Sequence, residues 1–95
     1  MKVVWSWLAR KRRLEILGYI SRYDTEAARK MDRLFRQSAR RLVSFPQMGV
    51  AGRIEGTREL TVHPNYIVVY KISQETIEII TIVHSAQLFP NIDGL

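Results

Sequence analysis

The residues of this chain that could take part in acid–base or phosphate chemistry lie mostly in its second half. An imidazole titrates near neutral pH and can transfer a proton, and a guanidinium can stabilise charge that develops on a phosphate. Metal-independent cleavage of RNA needs both functions, and His84 with Arg58 would be the catalytic pair of such a nuclease. The alternative for His84 is a structural histidine, hydrogen-bonded where the last strand ends. The groups available are Arg53, Arg58, Glu59, His63, Lys71 and His84, a small set for a nuclease.

Metal and thiol chemistry are not expected. The chain has no cysteine, so it has no disulfide, no thiolate ligand and no thiol nucleophile. Its two histidines, His63 and His84, have no carboxylates at ligand spacing around them, and two imidazoles are too few for a metal site. The sequence therefore predicts no cofactor and no metal ion.

The positive charge is concentrated in the first half of the chain. The 95 residues carry 15 Lys and Arg against nine Asp and Glu, a net charge of +6. Residues 1–45 hold 12 basic and four acidic residues, a net +8, whereas residues 46–95 hold three and five, a net −2. Such an asymmetry predicts a basic face with an anionic partner, either nucleic acid or an acidic protein segment.

Two helices are predicted in the basic half, after a short strand at residues 3–5. Leu14, Leu17 and Ile20 recur at helical spacing in the first helix. Asp24 is the predicted N-cap of the second helix, and Pro46 stops it. The core face of the second helix is predicted to hold Ala28, Met31, Phe35, Ser38 and Leu42, and its opposite face holds Arg29, Arg33, Arg36 and Arg40. Such an arginine stripe is either a solvated helix face or a docking surface.

The pattern changes to a period of two after Gly56, which predicts strands. Residues 57–63 alternate, so that Arg58 shares a face with Leu60 while Glu59 and His63 point to the other face. Residues 66–72 are apolar on both faces except at Lys71, as in a central strand, and residues 76–84 form the last strand. Short turns make these strands antiparallel neighbours. Residues 47–56 are predicted to be a loop, and long loops are often functional.

The predicted fold is therefore α+β, in the order β-α-α-β-β-β. An antiparallel helix hairpin packs on one face of an antiparallel β-sheet, and residues 1–95 form a single domain. No apolar stretch approaches the ~20 residues that cross a bilayer, and the N-terminus lacks the apolar core of a signal peptide. A cytoplasmic protein without a membrane partner is expected.

Several segments in this order resemble the RelE/ParE superfamily, the toxins of type II toxin–antitoxin modules. The resemblance covers nearly the whole chain and is closest to the ParE-like branch. Its segments include residues 45–46 (FP) with Gly49, residues 56–60 (GTREL), residues 63–70 (HPNYIVVY), residues 82–84 (IVH) and residues 87–90 (QLFP).

The resemblance implies a small, growth-inhibiting toxin, bacterial or plasmid-encoded, that an acidic antitoxin neutralises. Contact with operator DNA would occur only through that antitoxin. ParE-like members poison DNA gyrase, whereas RelE-like members are mRNA interferases that cut mRNA on the ribosome. The small catalytic set favours gyrase, and the ribosome-dependent endonuclease stays the alternative.

The resemblance and the charge pattern together predict three sets of site residues. Arg58 and His84 are catalytic only if the chain is a nuclease. Contacts with the target are expected from Arg53, Arg58, His63, Gln87 and Phe89. The antitoxin is expected to bind Arg29, Arg33, Arg36 and Arg40, because an acidic segment folding across the toxin would match their charge.

Overall fold

The computed structural model describes residues 1–87, so the predicted target contact Phe89 lies outside the described residues. Two helices follow the first strand, and four strands follow the helices. In chain order the elements are β1 (Lys2–Trp5), α1 (Trp7–Ser21), α2 (Thr25–Ser44), β2 (Val50–Ala51), β3 (Arg58–His63), β4 (Tyr66–Ser73) and β5 (Thr76–His84).

Side-chain caps fix the start of both helices. The Ser6 hydroxyl accepts a hydrogen bond from the Ala9 amide at 3.0 Å and donates one to the carbonyl of Ile80 at 2.6 Å, which ties the start of α1 to β5. Asp24 caps α2 as predicted, and its carboxylate accepts from the Ala27 amide at 3.1 Å.

The five strands form one sheet in the order β1-β5-β4-β3-β2. The predicted antiparallel pairing of β3, β4 and β5 is confirmed, and β4 is central. One edge differs from the prediction, because β1 runs parallel to β5 and the sheet is mixed. A parallel pair needs a long crossover connection, and here the two helices with β2, β3 and β4 supply it.

The helix hairpin packs on one face of this sheet, which confirms the α+β class. Phe35 of α2 is fully buried and meets the ring of Tyr66 edge-on, with centroids 6.1 Å apart. The predicted core face of α2 is correct except at Ser38, which is half-buried while Ala39 is buried. Leu14 also differs from the prediction, since 71% of it is exposed although its spacing matches the core residues of α1.

The segment between α2 and β3 is held against the sheet. It contains β2, a two-residue strand that was predicted as loop and pairs with Arg58 and Glu59. The buried Tyr70 hydroxyl donates to the carbonyl of Pro46 at 2.8 Å and accepts from the amide of Gly49 at 2.9 Å. The end of α2 and the loop after it are therefore fixed by one central-strand side chain.

Candidate functional site

His63, Tyr66 and His84 lie side by side on three neighbouring strands, and we refer to them as the histidine row. The register pairs His63 with Tyr66 and Tyr66 with His84. The ring centroids of these two pairs are 6.0 Å and 5.5 Å apart. The row brings two imidazoles and one phenol together at the end of the sheet that carries the β3–β4 turn.

A β-bulge brings His63 into this row. Strict alternation predicts that His63 shares a face with Glu59, but the register shifts between Thr61 and His63 so that Val62 is the additional residue. His63 therefore moves to the face of Tyr66, which belongs to the core beneath the helices. This corrects the predicted orientation of His63.

Both imidazoles accept a hydrogen bond from the backbone. Nδ1 of His63 accepts from the amide of Asn65 at 3.0 Å, and Nδ1 of His84 accepts from the amide of Ala86 at 3.1 Å. A neutral imidazole that accepts at Nδ1 carries its proton on Nε2. Burial, and secondly the nearby Tyr19, raise the pKa of the Tyr66 phenol above its ordinary value, so this phenol is protonated at neutral pH.

Arg58, the other half of the possible catalytic pair, lies two strands away from His84 and four residues further along the sheet. Arg58 is level with Tyr70 on β4, whereas His84 is level with Tyr66. Four residues of strand span about 13 Å, and two strand spacings add about 10 Å across the sheet. The structure therefore does not bring Arg58 and His84 together.

The Arg58 side chain is used within the protein. One of its terminal nitrogens donates to the carbonyls of Gln47 at 3.1 Å and Gly49 at 2.6 Å. The guanidinium thus bridges β3 and the segment that leads into β2. Sequence reasoning missed this role, because backbone carbonyls as partners leave no signature in the residue types.

The predicted target-contact residues form two groups instead of one patch. Arg53 lies with Arg58 near β2, where its amide donates to the buried Glu59 carboxylate at 2.8 Å. His63 lies at the other end, as does Gln87, whose amide donates to the carbonyl of His84 at 2.8 Å. Gln87 is exposed.

The arginine stripe of α2 is also divided. Arg29, Arg33 and Arg36 line a groove between α1 and α2, with a volume of about 540 Å³. Arg40 lies outside it and borders a smaller depression with Arg41. The four predicted antitoxin contacts therefore share a helix face, but three of them line the groove and Arg40 does not.

Asp32 lines this groove, and its carboxylate pairs with two arginines. Its carboxylate accepts two hydrogen bonds from Arg13 of α1, at 2.6 Å and 2.8 Å, and pairs with Arg36 at 3.2 Å. The Arg13 guanidinium also stacks over Trp5, 4.9 Å from the ring centroid. Arg33 has no ion-pair partner among residues 1–87. Arg13 and Arg36 are therefore partly used inside the fold, and Arg33 is available to a partner.

Within residues 1–87, no three His, Asp or Glu side chains are placed to hold a metal ion together. No helix in the same range combines the length and the apolar character that a membrane span requires.

Comparison with known proteins identifies relatives of this chain. Residues 3–89 match the family model described as the ParE toxin of the type II toxin–antitoxin system, parDE. A Sinorhizobium fredii protein named "Putative toxin Y4kP" is 34% identical over 96% of this chain and 95% of its own length. Toxin RelE2 of Caulobacter vibrioides is 31% identical over 92% of this chain and 98% of its own length.

A solved structure agrees with these sequence matches. A chain of the chromosomal ParDE toxin–antitoxin system from P. aeruginosa superposes with a TM-score of 0.76, at 20% identity, over 88% of this chain and 95% of that chain. At this identity the likeness establishes the fold. The family model covers most of the chain, so this protein belongs to the ParE toxin family of type II toxin–antitoxin systems.

Proposed function

We propose that this toxin stops growth by binding DNA gyrase and that it does not cut RNA. The observation that carries the proposal is the separation of Arg58 from His84. A phosphate held by Arg58 would be out of reach of a proton donor at His84, because the two positions are four residues apart along β4 and two strands apart across the sheet. Arg58 is also engaged by two backbone carbonyls. The family match adds to this support.

A supercoiling assay with purified gyrase tests the proposal. We expect the wild-type toxin to inhibit supercoiling and its antitoxin to relieve the inhibition. His84→Ala should retain inhibition within a factor of two, because the imidazole has no catalytic task in this proposal. If intact gyrase is unaffected at every toxin concentration, the gyrase proposal is wrong.

A ribosome-dependent endonuclease is the second candidate, and the histidine row favours it. Two imidazoles that each accept a backbone hydrogen bond at Nδ1 flank a protonated phenol, and such groups can donate and accept protons during RNA cleavage. One relative also carries the name Toxin RelE2.

Primer extension on translated mRNA tests this candidate. Codon-phased cuts that His84→Ala removes would replace the gyrase proposal, whereas intact mRNA during growth arrest would exclude the nuclease.

We also propose that an acidic antitoxin neutralises the toxin at the arginines of α2. Arg33→Glu reverses a charge that makes no ion pair in residues 1–87, so the fold should tolerate it. We expect the dissociation constant of the complex to rise at least tenfold at low salt, and by less at higher salt, since salt screens exposed charges. The control is Lys2→Glu on β1, which also reverses one exposed positive charge. Equal affinities of both variants, measured by calorimetry, would contradict this prediction.

A further inference from the structure

The end of α1 and the turn after it expose two tyrosines, Tyr19 and Tyr23. Tyr19 is 56% exposed and Tyr23 is 77% exposed. A single exposed aromatic residue is common on a protein surface, but a contiguous patch of them marks an interaction site. These two side chains are in contact with each other and therefore form such a patch.

The two rings and the guanidinium of Arg22 make up one packed unit, which we call the tyrosine surface. The ring centroids of Tyr19 and Tyr23 are 5.5 Å apart, and the ring planes are inclined at 62°. The Arg22 guanidinium lies 5.9 Å from the Tyr19 centroid, which is within the range of a cation–π contact. These contacts restrict the side chains before a partner arrives, so binding costs less side-chain entropy. Tyrosine and arginine are also enriched among the residues that dominate the binding energy of protein interfaces.

The tyrosine surface rests on the core of the protein. Burial is the main cause that raises the pKa of the Tyr66 phenol, and the nearby Tyr19 is the second cause. Tyr66 itself is buried and packs edge-on against Phe35. Ile20 packs against the same core, and its carbonyl accepts a hydrogen bond from the amide of Tyr23 at 3.0 Å. The backbone that carries the two rings is therefore held in place.

This end of the molecule carries little net charge. Residues 19–26 hold one basic and two acidic residues, a net −1. Residues 64–65 and 85–87, which directly follow His63 and His84, have no charged side chain. Residues 29–41 of α2, in contrast, hold six basic residues and one acidic residue, a net +5. Acidic segments and phosphates are therefore attracted to α2, and electrostatic attraction does not bring them to the tyrosine surface.

We propose that the tyrosine surface is the part of the toxin that contacts its protein target, a proposal that rests on the proposed function. Its side chains match an uncharged region of the target that has an apolar recess for the ring of Tyr23. Carbonyl oxygens around this recess would accept hydrogen bonds from the two phenol hydroxyls and from Arg22. A tyrosine with a buried ring and a hydrogen-bonded hydroxyl is a common anchor of protein interfaces.

Two other occupants match this surface less well. Single-stranded RNA could stack its bases on the rings, but its phosphates also need a row of cations, and Arg22 is the only cation of residues 19–26. A second copy of this chain would bring two basic helix hairpins together, because residues 1–45 carry a net +8, and like charges at close range are unfavourable. An uncharged protein surface has neither disadvantage.

Binding of the full chain to purified gyrase, together with the supercoiling assay, tests this inference. Tyr23→Ala should raise the dissociation constant about tenfold or more, and the toxin concentration that halves supercoiling should rise by the same factor. Tyr23→Phe keeps the ring and loses only the hydroxyl, so its effect should be smaller than that of Tyr23→Ala.

The matched control is Trp7→Ala. Trp7 is another exposed aromatic residue of α1, 70% exposed, with the Lys11 ammonium 5.2 Å from its ring centroid, but it lies at the other end of the helix. This control should change gyrase affinity by less than about threefold. Both variants should unfold at the wild-type temperature and bind the antitoxin with wild-type affinity, which checks that they are folded.

The outcomes separate this inference from the proposed function. If the wild-type toxin inhibits gyrase and Tyr23→Ala inhibits it equally well, the tyrosine surface is not the target contact, whereas the gyrase proposal stands. If the wild-type toxin leaves gyrase unaffected, the gyrase proposal is wrong and growth arrest decides this inference. Arrest that Tyr23→Ala abolishes and Trp7→Ala retains, with intact mRNA, supports a protein contact at this surface; arrest that Tyr23→Ala retains overturns it.

Two further results would replace the occupant. Codon-phased mRNA cuts that Tyr23→Ala removes would mean that the tyrosine surface binds RNA. A dimer that the same variant converts to a monomer would mean that it binds a second copy. Either result overturns the proposal of a protein target at this surface.

Discussion

Replacement of Phe35 with alanine is expected to lower the free energy of unfolding by about 3–5 kcal/mol. Phe35 is fully buried between the helices and the sheet and makes an edge-to-face contact with Tyr66. Its removal takes away the hydrophobic transfer energy of the ring and leaves a cavity that a packed core fills only in part. The loss is a large fraction of the 5–15 kcal/mol that typically separates folded from unfolded domains.

Urea denaturation followed by circular dichroism measures this loss. The matched control is Phe45→Ala, since Phe45 follows α2 directly but is 63% exposed. This control should change stability by no more than about 0.5 kcal/mol. Similar losses in both variants would mean that Phe35 is not a core residue of the folded toxin. We also expect Phe35→Ala to reduce growth arrest, because less folded protein is available to bind its target.

Replacement of Gly49 with alanine is expected to destabilise the protein by about 1–3 kcal/mol, through overpacking. A Cβ atom at this position would lie 2.7 Å from the carbonyl oxygen of Glu59 and 2.8 Å from the hydroxyl of Tyr70. Neither atom can move freely, because the first belongs to a paired strand and the second is hydrogen-bonded to Pro46 and to Gly49 itself. The contacts that Arg58 makes with Gln47 and Gly49 should weaken as well.

Gly18→Ala is expected to stabilise the protein, whereas Gly49→Ala destabilises it. Gly18 lies in α1 with open space around it, and alanine is favoured over glycine inside a helix by about 0.5–1 kcal/mol. Midpoints of thermal unfolding for the two alanine variants, measured side by side, test this. A stability gain at Gly49, or a loss at Gly18, would contradict the packing described for that glycine.

Most of the secondary structure and of the core could be predicted from the sequence, because they follow from local periodicity; the exceptions are β2, Ser38 and Leu14. The arginines of α2 repeat on the face opposite Phe35, and Asp24 stands at the position of a helix cap. Both signals come from residues within one or two helical turns of each other. The buried residues 66–70 of β4 were predicted for the same reason, since a strand segment buried on both faces is apolar on both faces. Ile72, which was predicted as part of the same buried run, is 37% exposed.

The candidate site was predicted less completely, because its residues come together across strands. The bulge at Val62 shifts the register of β3 by one residue. His63, the last residue of this strand, therefore lies on the face of Tyr66. Exposure of Leu14 depends on how α1 packs against α2 and the sheet, which its spacing in the sequence does not specify.

The sequence by itself determined the class of fold, the basic first half of the chain and the residue types that could act on a partner. Only the tertiary structure decided which of those residues meet. It placed Arg58 and His84 two strands and four residues apart and gathered Arg29, Arg33 and Arg36 along one groove between the helices. The physical reason is that composition and periodicity report local preferences, whereas strand register and helix packing are set by long-range contacts.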